Sequence, residues 1–297
     1  MTATRVAGIE LGGTKCICTL ATGPDGVLDQ REVPTEAPET TLAALTAILA
    51  EWAAQSPYAA LGVASFGPID LNPSSPTYGY ITQTPKPGWP MTDLLRPLAA
   101  VAQVPVAFDT DVNGAAMAEM RWGAGRGMDD FAYITVGTGV GVGLIVNGRP
   151  TRGLGHCELG HLRVPRLAGD TMPSGCPFHD DCVEGMAGGG GLARAMAGRD
   201  MASLAPDDPL WDRVAHAVTC LCHALVVTAG PRRIAIGGGV FGRQPQLLPR
   251  IEPMLRQSIN GYVPIPDDQP YIVVPALGGQ AGPLGPIAMG LSALAEG

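Results

Sequence analysis

The sequence predicts an α/β protein of two lobes, each built from the same succession of elements. Its 297 residues, of which 46% are hydrophobic, suit either one large domain or two of moderate size. The second arrangement is favoured because each half opens with strands joined by glycine turns and continues with alternating helices and strands. Repeated halves of this kind predict a cleft between two lobes, with ligands bound beyond the carboxyl ends of the strands.

The first half has a clear order of elements. A helical face is indicated by the spacing of Leu42, Leu45 and Leu49. The segment 68–90, rich in Pro, Gly and Ser, is too long for a plain connector and is expected to be a binding loop. The predicted elements are strands at 5–11, 15–22 and 27–34, a helix at 40–55, strands at 60–66 and 105–111, and a helix at 113–122.

The second half repeats this order from about residue 131. Its predicted elements are strands at 131–137 and 140–147, a Cys- and His-rich insertion, a helix at about 211–228, a strand at 232–238, a helix at 246–259, a strand at 271–276 and a final helix through 289–294. We expect the first lobe at 1–112 and the second at 113–279, with a C-terminal helix at about 280–297 packing back on the first lobe.

The acidic balance of the chain limits its partners. A net charge of -8, with no concentration of Lys and Arg, argues against a surface for nucleic acid or for anionic membranes. No apolar run is long enough to span a bilayer, and the first residues enter a strand pattern directly, so we expect a soluble cytoplasmic protein. A phosphate ligand would therefore have to be bound by backbone amides.

Three glycine-rich turns are candidates for binding phosphate. "GIELGGTK" at 8–15 comes close to a P-loop, but a strand follows it where a P-loop has a helix, which predicts a hairpin. "VGTGVGVG" at 136–143 holds the equivalent place in the second half, and "IAIGGGVFG" at 234–242 leads from a strand into a helix. Each turn alone could be a tight turn that needs only positive φ. Three together favour the binding of a nucleotide through successive N–H groups.

Two aspartates at the end of the predicted strand 105–111 compete for one role. Phosphoryl transfer to an alcohol needs a carboxylate that accepts the hydroxyl proton. Asp111 lies between this strand and the next helix, at the mouth of the predicted cleft. It could instead cap that helix, and Asp109 could take either role.

Glu158 and His161 are candidates for binding a sugar. They are three residues apart and could project in the same direction from a turn or short helix. Carboxylates and imidazoles recognise sugar hydroxyls with good specificity, because a buried group left unpaired is costly. The plainer alternative is a surface ion pair of small energetic value.

The Cys- and His-rich insertion has the spacing of a zinc site. Cys176, His179 and Cys182 follow a C-x2-H-x2-C pattern, and a closed tetrahedral site needs a fourth ligand, which His161 supplies most economically. The possible substitutes are Cys157 and His156. The remaining cysteines are expected to be buried thiols: Cys16, Cys18, Cys220 and Cys222.

Taken in order, "ELGGTK", "TVGTGVGVGLIVNG", "GHCELGH" and "IAIGGGVFG" resemble the motifs of the ROK family of sugar kinases. The resemblance spans nearly the whole chain. It implies the two-lobed, duplicated, ribonuclease H-like fold of the actin, Hsp70 and hexokinase ATPases, with a zinc-binding loop at 155–185. "SFGPIDLNPSSPTYGYITQTPKPGW" at 65–89 further resembles the fructokinases of this family.

The resemblance implies a role for each motif. Asp111 in "DTDVNGAA" would be the general base, although relatives more often carry Asn in place of Thr110. Glu10 stands where many relatives have an Asp linked to Mg²⁺ through water. The residues implied to bind the phosphates are Gly12, Gly13, Thr14, Lys15, Gly137, Thr138 and Gly139, and those implied to lie by the adenosine are Gly237, Gly238 and Gly239. The residues implied to contact the sugar are Gly67, Pro68, Asp111, Asn113, Glu158, His161 and Glu184. One ring nitrogen of His161 would bind the structural Zn²⁺ while the ring is held against the sugar.

We therefore expect an enzyme that uses MgATP to phosphorylate a hexose, D-fructose before others, and that forms the homodimer implied by the resemblance. A kinase for glucose, mannose or another hexose is the nearest alternative. The family also contains sugar-responsive repressors with an N-terminal helix-turn-helix domain, which this chain, starting at its first strand, is not expected to carry. A noncatalytic sugar- or nucleotide-binding regulator is the alternative of another class, and it would require that Asp111 is not a base.

Overall fold

The computed structural model describes residues 4–296. Its strands are β1 (Val6–Leu11), β2 (Lys15–Ala21), β3 (Val27–Pro34), β4 (Ala60–Ser65), β5 (Tyr80–Ile81), β6 (Thr92–Asp93), β7 (Val106–Thr110), β8 (Phe131–Val136), β9 (Val140–Val146), β10 (Arg149–Pro150), β11 (Ile234–Gly237) and β12 (Ile272–Val273). Its α-helices are α1 (Pro38–Gln55), α2 (Leu95–Ala102), α3 (Asp111–Trp122), α4 (Val183–Ala187), α5 (Gly189–Met196), α6 (Pro209–Thr228), α7 (Gly239–Arg243), α8 (Leu248–Ile259) and α9 (Ala281–Glu296).

The chain divides into two compact units. Unit 1 comprises Met1–Gly127, Pro150–His156 and Leu277–Gly297, and unit 2 comprises Met128–Arg149 and Cys157–Ala276. The predicted boundary between residues 112 and 113 falls inside α3, a helix that packs along its length against α9. The structure therefore divides the chain after α3, and it adds a short segment from the predicted second lobe to unit 1.

Unit 1 is built on a five-stranded sheet in the order β3-β2-β1-β4-β7. The first three strands pair antiparallel, which confirms the predicted meander, and β4 and β7 join them in parallel. Alternate residues of β1 face opposite sides: Ile9 lies in the core formed with α1 and α2, whereas Val6 packs against Ile287 of α9. Helices thus cover both faces of this sheet.

Close contact between α9 and the sheet depends on glycine. A Cβ added to Gly62 in β4 would lie only 1.8 Å from the carbonyl oxygen of Pro286, and one added to Gly8 in β1 would lie 2.9 Å from side-chain atoms of Pro286 and Ile287. Since backbone atoms cannot yield, the C-terminal helix can reach these strands only where they carry no side chain.

Unit 2 repeats the architecture of unit 1. Its sheet has the order β10-β9-β8-β11-β12, with β8 and β9 antiparallel and β8, β11 and β12 parallel. Each strand holds the same position as its counterpart in the first sheet, so the duplication inferred from the sequence is confirmed. In the described part of the chain, α6 is the one helix long and apolar enough to be considered for a membrane span, but 67% of its apolar window is buried, as expected for a core helix.

The strand predicted at 271–276 and helix α2 are two places where the structure differs from the sequence prediction. The strand predicted at 271–276 is only two residues long, because Pro275 has no N–H to continue the ladder. No element was predicted for the segment that forms helix α2. Here Pro97 lies in the first turn of the helix, where its missing N–H would have had no partner.

Candidate active site

In unit 1, three predicted site segments lie along one edge of the sheet. The register places Leu11 of β1 beside Ser65 of β4, and Ser65 beside Thr110 of β7. The carboxyl ends of these three parallel strands therefore lie side by side. The next residues are the Gly12–Gly13 turn, the Phe66–Gly67 segment and Asp111. Ligands of α/β sheets bind at this edge.

The β1–β2 hairpin carries unpaired backbone donors at its tip. The Gly12 amide donates to the Lys15 carbonyl oxygen at 3.0 Å, which confirms a tight hairpin where a P-loop would have a helix. A Cβ on Gly12 would lie 2.7 Å from that oxygen. Within residues 4–296, the next two amides, of Gly13 and Thr14, donate to no protein acceptor. Two successive free N–H groups of this kind favour an anion.

Asp111 is not the cap of α3. The capping residue is Thr110, whose hydroxyl oxygen accepts a hydrogen bond from the Asn113 amide at 3.1 Å. The Asp111 carboxylate accepts only from the Val112 amide, at 2.9 Å, and pairs with no cation of the described chain. Burial raises its pKa from 3.8 to about 6. A carboxylate with a pKa near the working pH suits a general base.

Glu10 lies close enough to Asp111 for their charges to interact. Burial, together with the charge of Asp111, raises the pKa of Glu10 from 4.5 to about 7, whereas the charge of Lys15 acts in the opposite sense. The charge of Asp111 thus raises the proton affinity of Glu10, and two neighbouring carboxylates attract a cation. Carboxylate oxygens are the ligands that Mg²⁺ prefers, so this pair fits a Mg²⁺ ion held with a nucleotide.

Asp109 orients Asn113 and is not available as a base. One of its carboxylate oxygens accepts from Arg152 at 2.5 Å, and the other accepts from the Asn113 side-chain amide at 2.8 Å. The side-chain carbonyl of Asn113 therefore faces away from Asp109. Among the described residues, no donor forms a hydrogen bond with this buried oxygen. Because an unpaired buried acceptor is costly, it is a ready partner for a ligand hydroxyl.

His156, a substitute zinc ligand in the prediction, instead supports the Gly67–Pro68 segment. Its Nε2 accepts a hydrogen bond from the Ile69 amide at 3.1 Å. A Cβ on Gly67 would lie 3.0 Å from the imidazole ring. The segment predicted to contact a sugar is therefore fixed by a histidine of the same unit.

In unit 2, the β8–β9 hairpin repeats the free amides of the first hairpin. The Gly137 amide donates to the Gly139 carbonyl at 2.9 Å, while the amides of Thr138 and Gly139 donate to no acceptor in the described chain. Glu184 lies directly against this turn, since its carboxylate accepts from the Val140 amide at 3.0 Å. A Cβ on Gly139 would lie 2.4 Å from the Glu184 carboxylate.

The third glycine turn lies at the same edge of the second sheet. Gly237 ends β11 beside Thr135 of β8, and α7 begins two residues later, which confirms the predicted passage from strand to helix. Gly238 has a φ of +90°, and a Cβ on it would lie 2.5 Å from backbone atoms of Val136. The second and third turns are therefore neighbours.

The four predicted metal ligands come together in unit 2. The ligand atoms of His161, Cys176, His179 and Cys182 all lie within 4.8 Å of one another. The Cys176 sulfur is 3.6 Å from His161 Nδ1 and 3.7 Å from His179 Nδ1. Tetrahedral zinc with ordinary bond lengths requires a sulfur–nitrogen separation of about 3.5 Å, so the residues fit the ion. Cys157 and His156 are not in this group.

The sulfur atoms of Cys176 and Cys182 each accept a hydrogen bond from a backbone amide. The Phe178 amide donates to Cys176 at 3.4 Å, and the Gly185 amide donates to Cys182 at 3.3 Å. The second bond makes Cys182 the cap of α4. Burial raises the pKa of Cys182 to about 11, so a cation is needed to keep this sulfur in the thiolate form that binds metal.

His161 connects the metal cluster with Glu184. Its Nδ1 faces the cysteine sulfurs, and its Nε2 lies 3.9 Å from a carboxylate oxygen of Glu184. Glu158 begins the 3₁₀ helix Leu159–His161, and its carbonyl accepts from the His161 amide at 2.9 Å. Of the two arrangements predicted for these residues, a turn or a short helix, the structure has the short helix.

A second anchor holds the metal-binding loop independently of any ion. Arg213 of α6 is fully buried, and both of its terminal nitrogens donate to the Pro173 carbonyl at 3.1 Å. Its Nε lies 3.3 Å from the Asp170 carboxylate, which is also buried. The first part of the loop is therefore fixed on the core helix.

Two residues of interest escaped the sequence analysis. Arg152 is far from Asp109 in sequence, and no pattern links them. Lys86 donates from its amine to the Gly13 carbonyl at 2.7 Å, beside the first glycine turn. A compositional signal could have indicated it, because the chain contains only two lysines, at positions 15 and 86.

Duplicated sheets of one strand order, each with a glycine hairpin at the carboxyl edge, define a kinase fold of the hexokinase type. The chain belongs to the ROK family, whose model matches residues 6–293. It is similar to the fructokinase of Pediococcus pentosaceus, 38% identical over 97% of this chain and 98% of that protein. It is also similar to the fructokinase of Zymomonas mobilis subsp. mobilis, 38% identical over 96% of each. Among solved structures, the ROK hexokinase from Thermus thermophilus has a TM-score of 0.80 at 27% identity, covering 99% of this chain and 100% of that one.

Proposed function

We propose that this chain is an ATP-dependent hexose kinase that phosphorylates D-fructose to fructose 6-phosphate. The observation that carries the proposal is the carboxyl edge of the first sheet. There, a half-buried carboxylate with a pKa of about 6, Asp111, interacts with Glu10 beside a hairpin that has free amides. Identity of 38% to fructokinases over nearly the whole chain supports fructose as the acceptor.

Asp111 would accept the proton of the acceptor hydroxyl as its oxygen attacks the γ-phosphorus and the bond to ADP breaks. In unit 1, the free amides of Gly13 and Thr14, within the Gly12–Lys15 turn, would bind phosphate oxygens. In unit 2, the free amides of Thr138 and Gly139, next to Gly137, would do the same. Gly237, Gly238 and Gly239 would lie by the adenosine. Mg²⁺, held through Glu10, would neutralise phosphate charge.

The sugar would be recognised by groups whose geometry is already restricted. The free side-chain oxygen of Asn113 can accept from one hydroxyl, and the Gly67–Pro68 segment, fixed by His156, can contact the sugar ring. The other residues proposed to contact the sugar are Glu158, His161 and Glu184. Each of them can both distinguish and orient a hydroxyl, because leaving it unpaired would cost binding energy.

Zinc in this proposal is structural. It would be bound by His161, Cys176, His179 and Cys182 and would fix the orientation of the His161 ring. A carboxylate that accepts from the second nitrogen of a ligating histidine sets its tautomer. Glu184 lies on that side of the His161 ring, with a carboxylate oxygen 3.9 Å from Nε2. A homodimeric assembly, which rests on the family resemblance, and a cytoplasmic location belong to the same proposal.

A coupled assay with MgATP over fructose, glucose, mannose and N-acetylated hexoses tests the function. We expect the highest kcat/KM with fructose. A clear preference for glucose or mannose would assign the chain to another hexose. No phosphorylation of any of these sugars, with the zinc content and fold intact, would favour a noncatalytic regulator.

A further inference from the structure

Lysine is rare in this chain, and both lysines lie at the first glycine turn. The sequence has 19 Lys and Arg residues, of which only Lys15 and Lys86 are lysines. Lys15 begins β2 directly after the turn, and Lys86 reaches the turn from the 68–90 loop. All other basic residues of Lys or Arg type are arginines. Lysine differs from arginine in carrying a compact charge on a flexible side chain, which indicates a specific role at these two positions.

The two amines are in different states. The Lys15 amine forms an ion pair with Glu32 at 2.6 Å, so its charge is already compensated. Lys86 is half-buried and forms no ion pair within residues 4–296, and its amine donates to a neutral carbonyl, that of Gly13, at 2.7 Å. A carbonyl is a weaker partner for an ammonium group than an anion is. Lys86 is therefore an uncompensated cation next to free amides.

A tight turn fixes the backbone of Lys86. Residues 86–89 form a type II turn, with Pro87 at the second position and Gly88 at φ +82° in the third. The Trp89 amide donates to the Lys86 carbonyl at 3.2 Å and closes this turn. Trp89 itself is fully buried, and its indole N–H donates to the Glu36 carbonyl at 2.9 Å.

We propose that Lys86 is a phosphate-neutralising residue of the kinase reaction: its amine leaves the Gly13 carbonyl when a nucleoside triphosphate binds and pairs with an oxygen of the γ-phosphoryl group. This proposal rests on the proposed function. Negative charge on the phosphoryl oxygens and the leaving β-phosphate oxygen must be stabilised during transfer, and a cation placed there acts in the transition state. The Gly13 carbonyl is the resting partner of Lys86.

The small number of lysines allows a direct test on the unmodified protein. Acylation with an amine-reactive reagent, followed by peptide mass spectrometry, reports Lys86 and Lys15 separately. We expect the Mg²⁺ complex of a non-transferable ATP analogue to slow acylation of Lys86 at least about 10-fold, and MgADP to slow it much less. A lysine-containing peptide added to every reaction is the reference for reagent consumption. Equal acylation of Lys86 with the analogue, with MgADP and without nucleotide would overturn the proposal.

Kinetics of variants give a second test. Lys86→Met keeps an unbranched side chain that is one atom shorter and removes the charge, and we expect kcat/KM for ATP to fall about 100-fold or more with an unchanged melting temperature. Lys86→Arg restores the charge and should recover part of the loss. Wild-type values for Lys86→Met would contradict the proposal. If the wild-type protein phosphorylates no hexose, the proposed function fails, whereas the acylation test still decides whether Lys86 meets a triphosphate.

Discussion

At the scale of single residues, two aspartates only two positions apart have opposite environments. Asp109 is buried, accepts from Arg152 and orients Asn113, whereas Asp111 has no cation partner and a raised pKa. The pattern around strand β7 indicated that one carboxylate here is functional but could not say which. The distinction depends on Arg152, which only the tertiary fold brings to Asp109.

This distinction predicts different effects for two equivalent substitutions. Asp111→Asn should lower kcat by several orders of magnitude while leaving sugar and nucleotide affinity nearly unchanged, because only the proton acceptor is lost. Asp109→Asn should instead destabilise the fold by about 1–3 kcal/mol and raise the KM for the sugar, because Asn113 loses its orientation. Turnover assays, isothermal titration and thermal melts measure these effects. Near-wild-type turnover of Asp111→Asn would refute its role as the base.

The raised pKa of Glu10 predicts that a neutral residue at this position makes the fold more stable at high pH. Its pKa is about 7 in the folded protein and near 4.5 in the unfolded chain, so between these values the folded state retains a proton that the unfolded state has released. This group's contribution to stability therefore decreases as pH rises from about 4.5 to 7. Without ligands, Glu10→Gln should melt at a higher temperature than wild type above pH 7, with little difference near pH 4.5. The exposed Glu36→Gln is the control, and a pH-independent difference would contradict the assignment.

At the scale of elements, the glycine hairpins were predictable from sequence, but their supports were not. Alternating apolar residues around "GG" and "GTG" predicted the two hairpins, and the structure confirms both. The positions of Glu184 under the second hairpin and of His156 under the Gly67 segment depend on contacts between residues 44 and 87 positions apart. No local periodicity reports such contacts.

The packing around the second hairpin predicts that Gly137 and Gly139 differ in their tolerance of replacement by alanine. A Cβ on Gly139 would meet the Glu184 carboxylate at 2.4 Å, whereas a Cβ on Gly137 would meet nothing within 4 Å. Gly139→Ala should therefore displace Glu184, lower the melting temperature and raise the KM for the sugar. Gly137→Ala should leave the melting temperature of the ligand-free protein nearly unchanged. Equal melting temperatures of the two variants would contradict the observed packing.

The metal-binding loop predicts a local effect of zinc removal. We expect one zinc per chain in the purified protein, and chelation should raise the KM for the sugar about 10-fold or more, because His161 loses its orientation. Hydrogen exchange should increase around residues 176–182 but less around 170–173, which Arg213 holds. Cys182→Ser should lose the metal, whereas Cys220→Ser, on α6, should keep it. Protein that contains no zinc would rule this out.

At the scale of the whole molecule, the sequence predicted a duplicated α/β fold, and the structure confirms two sheets of equivalent order. The boundary between the two units was harder to predict from the sequence. The predicted boundary followed the end of strand β7, where a change of element suggested it, but the packing of α3 against α9 assigns this helix to unit 1. Such packing involves residues more than 150 positions apart and leaves only weak traces in sequence, such as glycines in strands.

The contact of Gly62 with the C-terminal helix predicts how much stability is lost when this packing is disturbed. Gly62→Ala would place a methyl group 1.8 Å from the Pro286 carbonyl, so the helix or the strand must shift. We expect a loss of about 1–3 kcal/mol or more in the free energy of unfolding, measured by denaturant titration. Gly155→Ala, with open space around it, is the matched control. Similar stability of the two variants would contradict this account of the contact.

Unit 1 is assembled from three separate stretches of chain, and its helix α9 follows every stretch of unit 2 in the chain. During synthesis, strands β1 and β4 leave the ribosome with one glycine-lined face uncovered, and this face waits until α9 emerges. Unit 2, whose stretches are complete by residue 276, can fold earlier. The half of the protein that is translated first is thus the half that finishes folding last, which reverses the usual order of folding from the N-terminus.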